Sequence, residues 1–175
     1  MEDLEQRMID AALRGEPEGY RYLMKRYGRR VHLLVSQVIL DARDAEEVAQ
    51  DAFVRAFERL DMFDQSRGTF GIWIGRIAYN LAMNAVRGHK FEALEILDNQ
   101  DYLEELDEPS AQAQRLTLLD EAIGRLRPEE RTLLHLRYYD GQSLKEIAEV
   151  MDTKPGPLAN RLQRIRQKLS KLIQL

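Results

Sequence analysis

The chain has 175 residues and a mass of 20.4 kDa, with 44% apolar and 32% charged side chains, which suits one large or two small domains with a core under a charged surface. No apolar run reaches the roughly 18–20 residues of a membrane span, and Met1-Glu2-Asp3-Leu4-Glu5 lacks the basic and apolar blocks of a signal peptide, so a cytoplasmic protein without membrane insertion is expected. The absence of cysteine removes disulfides, thiolate nucleophiles, iron-sulfur clusters and Cys-ligated zinc.

Apolar residues recur at helical spacing almost throughout, so the expected fold is all-α. A first helix is predicted from Asp3 to Arg14, stopping at Gly15, and Pro17 opens a second that runs to about Leu40. Asp44, followed three residues later by Glu47, resembles a capping box and is expected to start a third helix with Ala49, Ala52, Phe53, Ala56, Phe57 and Leu60 on its apolar face. A loop from Asp61 to Gly68 follows. The fourth helix is predicted to bury Phe70, Trp73, Ile74, Ile77, Ala78, Leu81 and Ala85, leaving Arg76, Tyr79, Asn80, Met83, Asn84 and Arg87 on the opposite face.

Charge then divides the chain. Residues 1–91 balance acids against bases, whereas 92–108 hold Glu92, Glu95, Asp98, Asp101, Glu104, Glu105, Asp107 and Glu108 with no base. From Lys154 onward six basic residues occur with no acid. An acidic segment between a neutral half and a basic end reads as a linker between two domains, one of which meets a polyanion, although the net charge is −4. Residues 1–91, 92–110 and 111–175 are taken as first domain, linker and second domain.

In the second domain Pro109-Ser110 starts a fifth helix with Leu116, Leu119, Ile123 and Leu126 inward, and Pro128 starts a sixth that ends before Gly141. Ser143-Leu144-Lys145-Glu146 is a Ser-x-x-Glu capping box opening a short helix through Met151. The three residues Asp152-Thr153-Lys154 separate it from a long basic helix, a helix-turn-helix pattern whose second helix can enter the major groove of DNA. Leu158, Leu162, Ile165, Leu169 and Leu172 would face inward. Asn160, Gln163, Arg164 and their outward neighbours would face base edges, because amides pair bidentately with adenine and Arg with guanine, while Arg161, Arg166, Lys168 and Lys171 flank them near phosphates. The plain alternative is an amphipathic helix with a solvated basic face.

Three blocks together resemble the extracytoplasmic-function (ECF, group four) sigma factors of bacterial RNA polymerase: Asp44-Ala45-Glu46-Glu47-Val48-Ala49-Gln50-Asp51-Ala52-Phe53 with Arg55-Ala56-Phe57; Arg67-Gly68-Thr69-Phe70 through Trp73-Ile74, Arg76-Ile77-Ala78 and Asn80-Leu81-Ala82; and Leu133 through Tyr138-Tyr139-Asp140-Gly141 into Ser143-Leu144-Lys145-Glu146-Ile147-Ala148. The resemblance implies a dissociable initiation subunit with two helical domains and a linker. Its partners would be core RNA polymerase, promoter DNA and an anti-sigma protein. By resemblance, Glu46, Glu47, Gln50, Asp51 and Arg55 dock on the polymerase, and Phe63, Arg67, Arg76, Tyr79, Asn80 and Arg87 serve the minus-ten element. Asn160, Arg161, Gln163, Arg164, Arg166 and Lys168 serve the minus-thirty-five element. Phe63 suits either a base pocket or the core, and Trp73 suits the core.

Two departures accompany the match. After Asn80 the chain supplies only Arg87, Lys90 and His89 where the family carries a dense basic cluster, which weakens duplex affinity. Pro155 and Pro157 at the start of the basic helix remove N–H donors that could meet a phosphate. Both suggest an alternative, a sigma-like decoy that binds an anti-sigma protein without reading promoters. A simple helix-turn-helix repressor would leave residues 1–91 unexplained. Enzymatic readings find no support: His32, His89 and His135 are isolated, no phosphate loop occurs, and neither a metal nor a cofactor is expected.

Overall fold

The computed structural model describes residues 3–88 and 110–174, so the acidic segment 92–108 and His89 and Lys90 lie outside the described residues. Among these it contains helices and no strand: α1 (Leu4–Leu13), α2 (Pro17–Ser36), α3 (Ala42–Glu58), α4 (Phe70–Gly88), α5 (Ala111–Gly124), α6 (Pro128–Leu134), α7 (Leu144–Met151) and α8 (Pro155–Gln174). A 3-10 turn, Leu60–Met62, follows α3, and α6 runs into a π-helical turn, His135–Tyr139.

The local chemistry explains most boundaries. Asp3 caps α1 and Gly15 leaves it at φ +78°, a left-handed conformation that glycine adopts without cost. Pro17 sits in the first turn of α2, where its missing N–H has no intrahelical partner anyway. That helix ends at Ser36, short of the expected Leu40, because the chain turns there to bury Val38 and Ile39. The third helix is capped by Asp41, whose carboxylate accepts from the N–H groups of Arg43 and Asp44 at 2.9 and 3.0 Å. Asp44 is therefore a first-turn acid and not the cap expected from its spacing to Glu47. Ser143 and Glu146 do form the reciprocal box, Ser143 N–H donating to Glu146 at 2.8 Å and Glu146 N–H to Ser143 Oγ at 3.2 Å.

The first domain is a helical hairpin, α1 and α2, packed with α3 and α4 around Leu23, Val31, Leu34, Val35, Ala52, Phe53, Phe70 and Ile74, all buried. Aromatic rings link its parts: Tyr27, Phe63, Phe70 and Trp73 pack edge-on or tilted, with centroids 5.3–5.8 Å apart. In the second domain α8 lies against α5, α6 and α7 over Leu126, Leu133, Leu136, Ile147, Leu158, Leu162 and Ile165. The stripe expected on α5 is only partly realised. Leu116 is 57% exposed, while Ala122 and Leu126 are buried, because only the C-terminal half of α5 reaches the α6–α8 core.

The two domains touch. Helix α4 packs on α7 at Gly75, where a built Cβ would be in ordinary contact, 3.5 Å from Val150 Cγ2 and 3.7 Å from Leu34 Cδ2. The Arg30 guanidinium meets Asp140 at 3.1 Å, and Arg76 meets Asp152 at 2.8 Å. Arg131, 8% exposed, donates from Nε to the Gln37 carbonyl and from Nη1 to the Leu126 carbonyl, both at 2.8 Å. One buried cation thus serves the C-terminal ends of α2 and α5, where unpaired carbonyls and the helix dipole favour positive charge. This contact corrects the reading of α4, since Tyr79 and Met83, each 6% exposed, are covered and not part of an open face.

The hairpin α1–α2 yields a paired prediction. At Gly19 an added Cβ would stand 2.4 Å from both Ala12 N and Met8 O, backbone atoms that cannot yield without moving α1, whereas at Gly28, in the same helix, it would meet nothing within 4 Å. Gly19→Ala should destabilise by about 1–3 kcal/mol or more, and Gly28→Ala should stabilise by about 0.5–1 kcal/mol through helix propensity. Denaturant unfolding of both variants checks the opposite signs.

Candidate functional site

The second domain presents α8 through a turn of defined geometry. Helix α7 ends at Asp152, which adopts φ 53° and ψ 52° and is, among the described residues, the non-glycine residue with positive φ. Its N–H and that of Thr153 both return to the Ala148 carbonyl, closing α7 before Pro155 opens α8. With Leu158, Leu162 and Ile165 buried, the opposite face of α8 carries Asn160, Gln163 and Arg164, all exposed. Among the described residues these three side chains make no ion pair or hydrogen bond. Arg161, Arg166 and Lys168 lie on the flanks, as expected.

Two of the flanking cations are held internally. Arg166 donates from Nε to Tyr138 Oη at 2.7 Å, its Nη2 reaches the same oxygen, and its guanidinium lies 5.6 Å from the ring centroid. Lys168 meets Glu130 at 3.4 Å. Glu130 also accepts from the Arg127 N–H at 2.9 Å, so it caps the start of α6 and holds Lys168 at the same time. Tyr138, Glu130 and Asp152 escaped sequence reasoning. The adjacent Tyr138 and Tyr139, 57% and 63% exposed, were the available signal.

On the first domain, Glu46, Glu47, Gln50, Asp51 and Arg55 all lie on the exposed side of α3, whose other side is anchored by Ala45, Ala49, Ala52, Phe53 and Ala56. Nothing from the second domain covers them. The loop before α4 is shaped by Asp64, whose carboxylate accepts from the Ser66 N–H at 2.9 Å and the Ser66 hydroxyl at 2.7 Å; those bonds, with Arg67 nearby at 3.8 Å, hold it below the usual carboxylate range. Thr69 Oγ1 accepts from the Ile72 N–H at 3.3 Å and starts α4. Between this loop and α1 lies an open cleft of about 400 Å³ that includes Phe63, Arg67, Thr69 and Phe70, with Asp3 and Glu5 opposite. Phe63 is half-buried on Phe70 and Trp73, so it belongs to the core and lines the cleft as well.

Further along α4, Asn80 and Arg87 are exposed, but Arg76 is bound to Asp152 and Tyr79 is buried. Burial, helped by Glu129, raises the Tyr79 phenol to about 12, against the opposing pull of Arg87 and Arg161. Sequence therefore places six residues along one minus-ten surface, and the fold leaves four of them open. Among the described residues no cluster of three or more His, Asp or Glu could hold a metal, and no helix is long and apolar enough to cross a membrane.

Residues 23–92 match Sigma-70 region 2, and residues 116–169 match Sigma-70, region 4. The RNA polymerase sigma-H factor of Pseudomonas aeruginosa is 29% identical over 189 residues, covering 99% of this chain and 95% of that protein. The ECF RNA polymerase sigma factor SigW of Bacillus subtilis is 27% identical over 194 residues, covering 98% and 97%. Among solved structures, CnrH in complex with the cytosolic domain of CnrY is similar with a TM-score of 0.71 at 24% identity, covering 98% of each chain. The sigma factor RpoE in complex with the anti-sigma factor NepR from Bartonella quintana is similar with a TM-score of 0.67 at 18% identity, covering 89% of this chain and 97% of that one. At these identities the structural likeness is one of fold.

One titration follows from the boundary between the domains. His135 is buried in the π-helical turn, stacked on Tyr139, with Asp140 at 3.9 Å and Arg30 beyond it. Burial lowers its pKa below 6.5 and Arg30 lowers it further, while Asp140 opposes both. Because the folded state holds the neutral ring, the unfolded chain binds the proton more readily, so the contribution is intact above the unfolded pKa and stability falls as pH drops below about 6.5. Urea unfolding at pH 7.5 and 5.5 should show this loss, and His135→Gln should reduce the difference.

Proposed function

The chain belongs to the extracytoplasmic-function sigma factors of RNA polymerase, and we propose that its two domains divide promoter-directed initiation as follows. Residues 1–91 dock on bacterial core polymerase and open the minus-ten element, residues 92–110 connect, and residues 111–175 read the minus-thirty-five element. The observation that carries this division is the face of α8: Asn160, Gln163 and Arg164 stand outward at i, i+3 and i+4 on a helix buttressed by a capped α7. The factor works by binding, with no catalytic residues of its own, in the cytoplasm, and an anti-sigma protein is its expected regulator.

On α3, Glu46, Glu47, Gln50, Asp51 and Arg55 form the polymerase-docking face. In the first domain, Phe63 and Arg67 at the cleft offer an aromatic surface and a cation to unpaired bases and their backbone, and Asn80 and Arg87 extend that path. Arg76 and Tyr79 belong to the same assigned set, Arg76 paired with Asp152 and Tyr79 buried in this structure. On α8, Asn160, Gln163 and Arg164 meet base edges, and Arg161, Arg166 and Lys168 meet phosphates.

The decoy alternative draws on one specific observation, the internal engagement of Arg76, Arg166 and Lys168. Transcription in vitro with purified core polymerase on a genomic promoter library separates the two. A promoter-reading factor yields discrete start sites, and a decoy yields none.

Two predictions test the assignments. Reversing charge at Asp51 and Arg55 together should weaken core-polymerase binding with little change in melting temperature, since exposed substitutions usually cost under about 0.5 kcal/mol; unchanged affinity would remove α3 from the interface. On α8, Arg164→Ala should cost about 1–3 kcal/mol on the preferred minus-thirty-five sequence and relax preference at a single position. Lys168→Ala should weaken all sequences alike and lower the salt slope by about one unit. Equal, sequence-independent effects of both across a library of variants would reduce α8 to an electrostatic clamp.

A further inference from the structure

Helix α8 supplies its two flanks with unequal positive charge. At about 100° per residue, Arg161 and Lys168 fall on the same side of the outward Asn160 and Arg164. Arg166 falls on the other side, where it is the cation that α8 contributes. A helix lying in a major groove runs between two backbone strands, so each flank faces its own row of phosphates. One row meets two cations of α8, and the other depends on a single guanidinium.

That guanidinium is held in place. Tyr138, from the π-helical turn after α6, accepts from Arg166 Nε at 2.7 Å and from its Nη2, and the ring centroid lies 5.6 Å from the guanidinium carbon. Two bonds to one oxygen fix the plane of the planar fork, and the ring beside it supports the charge. Of the five N–H donors of an arginine, both on Nη1 and one on Nη2 are left over. The Tyr138 oxygen uses its lone pairs on Arg166, which leaves its own O–H to donate elsewhere. Both side chains are exposed, Tyr138 at 57%. What the pair offers outward is therefore one positive charge and a set of donors with no acceptor. A phosphate, whose oxygens accept and do not donate, complements such a set, whereas a base edge mixes donors with acceptors.

We propose that Tyr138 and Arg166 form a single phosphate-binding site on the flank of α8 opposite Arg161 and Lys168, with Tyr138 orienting the guanidinium and adding its own hydroxyl donor. This rests on the reading of α8 as the minus-thirty-five helix. The hold of Tyr138 on Arg166 then prepares the cation for the DNA backbone, because the side-chain freedom that phosphate binding would remove is already lost in the free protein. The site carries no sequence information. It fixes the register in which Asn160, Gln163 and Arg164 meet the bases.

Tyr138→Phe keeps the ring and removes the oxygen. With the full-length chain bound to core polymerase, binding to duplexes varied through the minus-thirty-five element should weaken about three- to tenfold for every sequence alike. The salt slope should not change, because no charge is removed, whereas Arg166→Ala should lower it by about one unit. In the Arg166→Ala background, adding Tyr138→Phe should cost less than about twofold; a tyrosine needed only for folding would cost as much there as in the parent chain. Tyr139→Phe is the control, since the Tyr139 ring stacks on His135 and makes no contact with a cation of α8 among the described residues; its binding should match the parent. Unchanged or tighter binding by Tyr138→Phe, while Arg166→Ala is impaired, overturns the site and leaves α8 as the reader. A change of preference at one base position on Tyr138→Phe also overturns it, in favour of base contact. If Arg166→Ala, Arg164→Ala and Lys168→Ala all bind as the parent does, the reading of α8 itself fails and the site with it.

Discussion

Helix α4 serves two domains through a row of small residues set between its larger buried side chains Phe70, Ile74, Tyr79 and Met83. Gly71 accepts the Tyr27 ring, Gly75 accepts Val150 and Leu34, and Ala78 and Ala82 are fully enclosed. A larger side chain at Gly71 would stand 2.9 Å from the Tyr27 ring. Removing Cβ and γ atoms from successive turns lets α2 and α7 approach the same helix from two sides, which is why α4 is buried over more of its circumference than an ordinary surface helix. The residues proposed for minus-ten DNA beyond the Phe63 cleft are arranged along this helix, so their accessibility is decided by what packs on it.

The energetic character of the two kinds of burial differs. Within the first domain α4 meets aromatic and aliphatic carbon, where area removed from water contributes about 25 cal/mol per Å². Toward the second domain it meets Val150 as well as Asp152, and the adjoining polar contacts are carried by Arg30 and Arg131. The Arg131 guanidinium has backbone carbonyls as its partners, and burial lowers its pKa while Glu129 opposes that shift. A cation satisfied by helix C-termini fixes geometry well, but its desolvation offsets much of what the bonds contribute. The boundary thus adds register-specific polar contacts to an apolar cluster that runs from one domain core into the other.

This difference also explains what could be read from sequence. Periodicity identified every helix and the buried side of α8, and Ser143 with Glu146 marked the start of α7, because those features follow from a helix meeting its own domain. The cap of α3 was misplaced because Asp41 and Asp44 are chemically equivalent, and only the turn after Ile39 decides between them. Tyr79 and Met83 fell on the wrong side because helical periodicity describes one apolar face, while the second domain also covers α4 where these two side chains lie. On α5, Leu116 carries the right spacing but extends past the end of the core it was expected to join. The polar face of α8 was legible as a face; the hold of Tyr138 on Arg166 and of Glu130 on Lys168 was not, since both partners come from residues distant in sequence.

Asp152 joins these strands of argument. A turn at this position needs a left-handed residue, and among residues with a side chain Asn and Asp reach φ near +53° most readily. Glycine would close α7 with less strain but would leave Arg76 without its carboxylate; Asn would keep the turn and lose the charge. The acid therefore does two things from one backbone position: it sets the angle at which α8 leaves α7, and it holds a cation on α4. Helix-turn-helix geometry and domain seating are consequently coupled through a single residue. A force that draws Asp152 away from Arg76 leaves the turn intact, because the turn is held by the Ala148 carbonyl and by the residue's own φ, not by the ion pair. The geometry that presents α8 is therefore independent of the ion pair that joins the domains.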